Sequence, residues 1–148
     1  MISTVLTLRL LSVSVAAHTM AEIEDLLKRL RKAGLPLTDS IREAMMNVDI
    51  QNFTDYDPLP FWHDRPIVFT ETERGGVKTI SAPHMVVTLL HHLELSAGQE
   101  VLILGAKGGY LAALVSHIVG PEGGVTVVDP NRQVVEHVRK RLKQQKLN

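Results

Sequence analysis

Between residues 21 and 33 the apolar side chains Ile23, Leu26, Leu27 and Leu30 recur at helical spacing. Acidic Glu22, Glu24 and Asp25 come early and Lys28, Arg29, Arg31 and Lys32 late, so the pattern predicts an amphipathic helix with its charges ordered along the dipole. Gly34 and Pro36 end it, and Thr38 or Ser40 can cap a second helix to about Asn47, with Ile41, Ala44 and Met45 inward. Residues 49–78 lose any sustained period. They hold Pro58, Pro60, Pro66, Gly75 and Gly76, with Phe53, Tyr56, Phe61 and the sole tryptophan, Trp62, and read as a long loop. Residues 66–70 could supply a short strand, and the loop either wraps the surface or contacts a substrate. Regularity returns at Ser81. Pro83 suits a first helical turn, Met85, Val86, Leu89, Leu90 and Leu93 share a side through Leu95, and Gly98 breaks the run. Residues 101–104 read as a buried parallel strand, 110–119 as a helix and 125–128 as a second buried strand. A last helix runs from 131 to about 145, with Val134, Val135, Val138 and Leu142 inward. Strands alternating with helices predict an α/β fold whose parallel sheet is covered by helices.

With 148 residues the chain suits one compact domain, taken as residues 21–148 behind an extension of residues 1–20. Residues 5–17 are apolar and end in small side chains, somewhat like a signal peptide. There is no basic segment ahead of them, Arg9 interrupts the run, and it is too short to span a bilayer. An extra strand or helix, or an extension ahead of a start at Met20, is therefore preferred. Sixteen basic residues balance sixteen acidic ones, so no overall field favours nucleic acid or a membrane as partner. Arg139, Lys140, Arg141, Lys143 and Lys146 read as a solvated helix end rather than an RNA contact. The absence of cysteine excludes disulfides, thiolate zinc sites and thiol nucleophiles, and is compatible with a cytoplasmic location. Seven histidines show no metal-ligand spacing, so no metal is expected.

The candidate chemistry begins in residues 101–110, V-L-I-L-G-A-K-G-G-Y, where a glycine-rich turn joins a strand to a helix. Free backbone N–H groups and the helix dipole favour a polar or anionic ligand group there. Asp129 ends the next strand a little over twenty residues past Gly105, where a carboxylate can accept from ribose hydroxyls; capping the helix after Pro130 is its simpler use. Gly105, Gly108 and Gly109 do not fit the dinucleotide fingerprint G-x-G-x-x-G, which favours a methyl donor over a hydride carrier.

Residues 79–85, T-I-S-A-P-H-M, resemble the T-I-S-x-P-x-M signature of protein-L-isoaspartate O-methyltransferases and stand the right distance ahead of the glycine loop. Residues 41–45, I-R-E-A-M, then Phe53 and Asp64-Arg65-Pro66, are also similar to that family, and together these cover about residues 26–142 in family order. The resemblance implies a Rossmann-like methyltransferase fold with a truncated parallel sheet and a helical N-terminal extension. It implies S-adenosyl-L-methionine as cofactor, isoaspartyl-containing proteins as substrates and methylation of their carboxylates as a repair reaction. It places Ser81 at the active site and the cofactor along Lys78, Thr79, Ile80, Gly105, Ala106, Gly108, Gly109, Asp129 and Pro130. Ser81 would position the acceptor by hydrogen bonding, the simpler alternative being a helix cap before Pro83.

Relatives carry E-I-G-T-G-S-G-Y in the loop. This chain has Ile103 at the acidic position and Lys107 at the middle glycine, which sets a cation near the sulfonium site. Lys78 replaces the usual glutamine, and residues 70–74 look inserted. Relatives also continue through further strands and helices. A sheet of about three strands would leave one edge unpaired, which predicts a homo-oligomer. The other reading is a degenerate relative that keeps the fold as a binding or assembly module.

Overall fold

Helix α1 (Ala17–Lys32) buries Ile23, Leu26, Leu27 and Leu30 and closes on Gly34. A φ of 85° at Gly34 lets the Leu35 N–H reach the Leu30 carbonyl at 3.1 Å, satisfying a carbonyl the helix leaves free. The computed structural model describes residues 4–8 and 17–145. Helix α2 (Asp39–Asn47) is capped by Thr38, whose hydroxyl accepts the Ile41 N–H at 3.3 Å, and buries Ile41, Ala44, Met45 and Met46.

The stretch expected as one long loop carries structure of its own. A 3-10 turn (Ile50–Phe53) is capped by Asp49, which accepts the Gln51 N–H at 2.9 Å. Helix α3 (Leu59–Trp62) follows, then an antiparallel hairpin of β2 (Ile67–Glu71) and β3 (Val77–Ile80). Strand β2 lies where a short strand was expected, and the segment that looked inserted supplies the end of β2 and the turn. Phe53, Phe61 and Trp62 are buried. Phe53 and Phe61 each meet Tyr110 edge-on, with ring centroids 5.6 and 5.5 Å apart, so these rings form a packed wrap over the start of the next helical layer.

Helix α4 (Pro83–His92) leads to β4 (Glu100–Leu104), α5 (Tyr110–Val119), β5 (Gly124–Asp129) and α6 (Arg132–Gln144). The parallel β4–β5 pair sets Val101 against Val125 and Leu104 against Val128. Strand β1 (Thr4–Leu8) lies in the N-terminal extension and joins the other side of β5 antiparallel, with Thr4 opposite Asp129 and Leu8 opposite Val125. The sheet order is β1-β5-β4. Helix α5 is buried almost all round because it is packed between α2 and the sheet.

Two sequence expectations are corrected here. The run at residues 101–104 is an edge strand and not a buried one: Leu102 is 61% exposed and Leu104 77%. Its apolar character fits a strand flanked on both sides, and no described strand pairs with its outer edge. In α4 the buried face is Pro83, Val86, Val87 and Leu90, while Met85, Leu89 and Leu93 are exposed.

Helix α6 buries Val134, Val135, Val138 and Leu142 as expected, but also Arg141, which pairs with Asp55. The solvated basic end is therefore not uniform, and Lys146 lies outside the described residues. Neutral His137 donates through Nε2 to the Phe53 carbonyl at 3.0 Å, and burial pushes its pKa down. These two contacts tie α6 to the 3-10 turn and to Asp55 just beyond it. No helix among the described residues is long and apolar enough to cross a membrane.

Candidate functional site

The loop from Gly105 to Gly109 takes positive φ at four positions: 94° at Gly105, 45° at Lys107, 81° at Gly108 and 88° at Gly109. A lysine in the left-handed region is strained by about 1–2 kcal/mol, so Lys107 occupies that conformation because its neighbours impose it. Gly108 is one of them. A Cβ there would lie 2.6 Å from Ile80 Cγ1 and 3.1 Å from Phe69 Cγ, so the loop backbone rests directly on the β2–β3 hairpin.

Asp129 holds the loop from the other side. Its Oδ2 accepts the Ala106 N–H at 2.9 Å and its Oδ1 the Asn131 N–H at 2.8 Å. The cap of α6 is Asn131, whose side chain accepts the Val134 N–H at 3.2 Å, so Asp129 does not fill the simple capping role. It joins two strand ends instead, and each oxygen retains a lone pair.

Ser81 sits where β3 turns into α4. The cap position is Ala82, which makes no side-chain cap bond, so the helix-cap reading of Ser81 is not realised. Asp64 substitutes from a distance: its Oδ1 accepts the His84 N–H at 2.8 Å and lies 3.0 Å from His84 Nδ1. An orphan donor at the start of α4 is thereby satisfied. The missing cap at Ala82 was a signal that some such partner was needed.

Two adjoining cavities share Gly105 and Lys107. One, about 490 Å³, is largely apolar and is walled by Ser81, Met85, Leu89, Leu104, Lys107 and Tyr110 among others. The other, about 260 Å³, is more polar and is walled by Phe69, Lys78, Thr79, Gly105, Lys107 and Asp129, with Val134. The structure thus brings Lys78, Thr79, Gly105 and Asp129 onto one cavity and Ile80, Ser81 and Gly105 onto its neighbour. Ala106, Gly108 and Gly109 are buried beneath the loop, and Pro130 is exposed outside both hollows. Sequence reasoning missed Met85, Leu89 and Leu104 as cavity walls, because it assigned them to the core. A third hollow of about 330 Å³, against α1 and α2, contains none of the singled-out residues.

The family model of protein-L-isoaspartate(D-aspartate) O-methyltransferase matches residues 21–148. A protein-L-isoaspartate O-methyltransferase of Methanopyrus kandleri is 35% identical over 120 residues, covering 81% of this chain and 51% of the relative. That of Ignicoccus hospitalis is 34% identical, over 80% of this chain and 54% of the relative. The chain spans about half the length of these curated relatives. A solved protein-L-isoaspartate O-methyltransferase superposes with a TM-score of 0.74 at 26% identity, covering 84% of this chain and 39% of the other. A Plasmodium falciparum protein assigned to the same activity, solved with S-adenosyl-L-homocysteine, gives 0.69 at 23% identity, over 83% and 56%, and supports the fold.

Proposed function

Because the chain belongs to the protein-L-isoaspartate O-methyltransferase family, we propose that it transfers a methyl group from S-adenosylmethionine to the carboxylate of L-isoaspartyl residues in damaged proteins. Residues 21–148 form the working unit, residues 1–20 an extension, and the cytoplasm is the proposed compartment, in keeping with a chain that has no cysteine. One observation carries the reading: the Asp129 cavity and the Ser81 cavity adjoin across Gly105 and Lys107.

The residues present fit the cofactor. Asp129 keeps acceptor capacity on both oxygens for ribose hydroxyls, and open space at Gly105 lets a ligand approach the backbone. Lys78, Thr79 and Ile80 flank it, Ala106, Gly108 and Gly109 shape the loop from beneath, and Pro130 follows Asp129 into the α6 turn. When bound, S-adenosylmethionine supplies an activated methyl group. The Ser81 hydroxyl, which has no hydrogen-bond partner among the described residues, is free to donate to an acceptor carboxylate and hold one oxygen in line. No strong base is required, because a carboxylate is already the nucleophile. The apolar wall of Met85, Leu89 and Leu104 offers a surface for the substrate's hydrocarbon portion.

Calorimetric titration with S-adenosylmethionine is the first test, followed by methyl transfer to an isoaspartyl peptide. Binding and transfer are expected, with Ser81→Ala lowering kcat/KM by about 100-fold through loss of positioning. No binding up to about 1 mM, equivalent to about −4 kcal/mol, removes the reading.

A second reading, a non-catalytic relative acting as an assembly module, is favoured by Leu102 and Leu104 on β4, whose outer edge is unpaired among the described residues. In either case we propose that this edge pairs with a second copy of the chain, since an unpaired apolar edge is a template for strand addition. Sedimentation is expected to give the dimer mass, lowered to the monomer by Leu104→Lys. A wild-type monomer at all concentrations overturns this assembly.

A further inference from the structure

The wall of the Ser81 cavity holds a single charged side chain among the described residues, Lys107. That side chain is exposed and makes no ion pair with any described residue. The rest of the wall is aliphatic apart from Ser81, Tyr110 and loop backbone, and the phenolic oxygen of Tyr110 is itself buried. A hollow of about 490 Å³ with one unpaired ammonium and one unpartnered hydroxyl suits a ligand with an apolar body and one anionic end. Lys107 also borders the Asp129 cavity, so it stands between the two hollows. Its left-handed backbone, with φ of 45°, belongs to the loop that Asp129 and the hairpin hold in place.

We propose that Lys107 is the carboxylate-binding residue of this site, its ammonium pairing with the acceptor carboxylate beside Ser81. The inference rests on the methyl-transfer reading for the identity of that carboxylate. It converts an apparent defect into a coupling. Alone, the ammonium repels a sulfonium in the neighbouring cavity; paired with a carboxylate it is neutralised, so acceptor and cofactor strengthen each other's binding.

The test compares a short isoaspartyl peptide flanked by apolar residues with the same peptide bearing a primary amide in place of that carboxylate. Wild type is expected to bind the acid about tenfold tighter than the amide at low salt, a margin that shrinks as salt rises. Lys107→Arg should keep the preference. Lys107→Met, which retains the stem without the charge, and Lys107→Gly, which also relieves the left-handed strain, should bring the two peptides within about twofold of each other. Denaturant midpoints confirm that the variants fold, and a merely structural role would move those midpoints without altering the acid-to-amide ratio.

Equal binding of acid and amide by wild type overturns the proposal, as does a full preference in Lys107→Met. So does failure of wild type to bind either peptide. Titration with S-adenosylmethionine separates that last failure from failure of the methyl-transfer reading: cofactor binding without peptide binding refutes the role of Lys107 alone, and loss of both refutes the two together.

Discussion

Gly108→Ala is expected to destabilise the protein by about 3 kcal/mol and to weaken cofactor binding at least tenfold. Two costs add. A non-glycine residue at a φ of 81° is strained by about 1–2 kcal/mol, and the new methyl, 2.6 Å from Ile80 Cγ1, overpacks the contact between loop and hairpin by about 1–3 kcal/mol. A double-mutant cycle separates them. Ile80→Ala removes the two closest atoms and leaves Phe69 Cγ at 3.1 Å, so in its background Gly108→Ala should retain the backbone part and a smaller residual contact, giving a coupling of about 1–2 kcal/mol by urea unfolding. Strict additivity would mean that the loop does not rest on Ile80.

Asp129→Ala is expected to cost about 3 kcal/mol and to lower affinity for S-adenosylmethionine about 100-fold. Removing the carboxylate strands the Ala106 and Asn131 N–H groups at a part-buried site, at about 1–3 kcal/mol each. Asp129→Asn discriminates further. An amide has one acceptor oxygen for two facing N–H donors, so whichever way it is turned, its NH₂ confronts a donor. It should therefore lose about 2 kcal/mol despite matching the shape of aspartate, measured by urea midpoint and cofactor titration together. A variant as stable as wild type would show that Asp129 does not join the strand ends.

The helical part of the fold was legible because its signals are local. Thr38, Gly34 and the spacing of Ile23, Leu26, Leu27 and Leu30 bound and orient α1 and α2 without reference to anything distant. Strand β4 was misread for the opposite reason. V-L-I-L reports that a strand is apolar, whereas its burial depends on which strands lie beside it, and β4 stands at the edge of the described sheet. The face of α4 failed in the same way: five leucine, valine and methionine positions fit one helical stripe, but tertiary packing chose Val86, Val87 and Leu90 and turned Met85 and Leu89 to a cavity. Strand β3 was hidden because its four residues alternate weakly and take their conformation from β2.

At the site, the glycine turn and Asp129 could be found by spacing, since a ligand-binding loop needs glycine and a carboxylate at set places along a βαβ unit. What spacing could not convey was the hydrogen bond from Ala106 to Asp129, or the sharing of Lys107 between two hollows. The comparison of loop patterns acquires a physical meaning from Gly108. Lys107 carries the side chain that the family pattern lacks at this position, while Gly108 lies against Ile80.

The aromatic wrap has an optical consequence. Trp62 is the sole indole of the chain, its ring centroid is 5.5 Å from that of Phe61, and Phe61 is in turn 5.5 Å from Tyr110, which walls the Ser81 cavity. A buried chromophore two rings removed from the Ser81 hollow makes the protein its own candidate fluorescent probe, so occupancy there is expected to register in the emission of Trp62 without an attached dye.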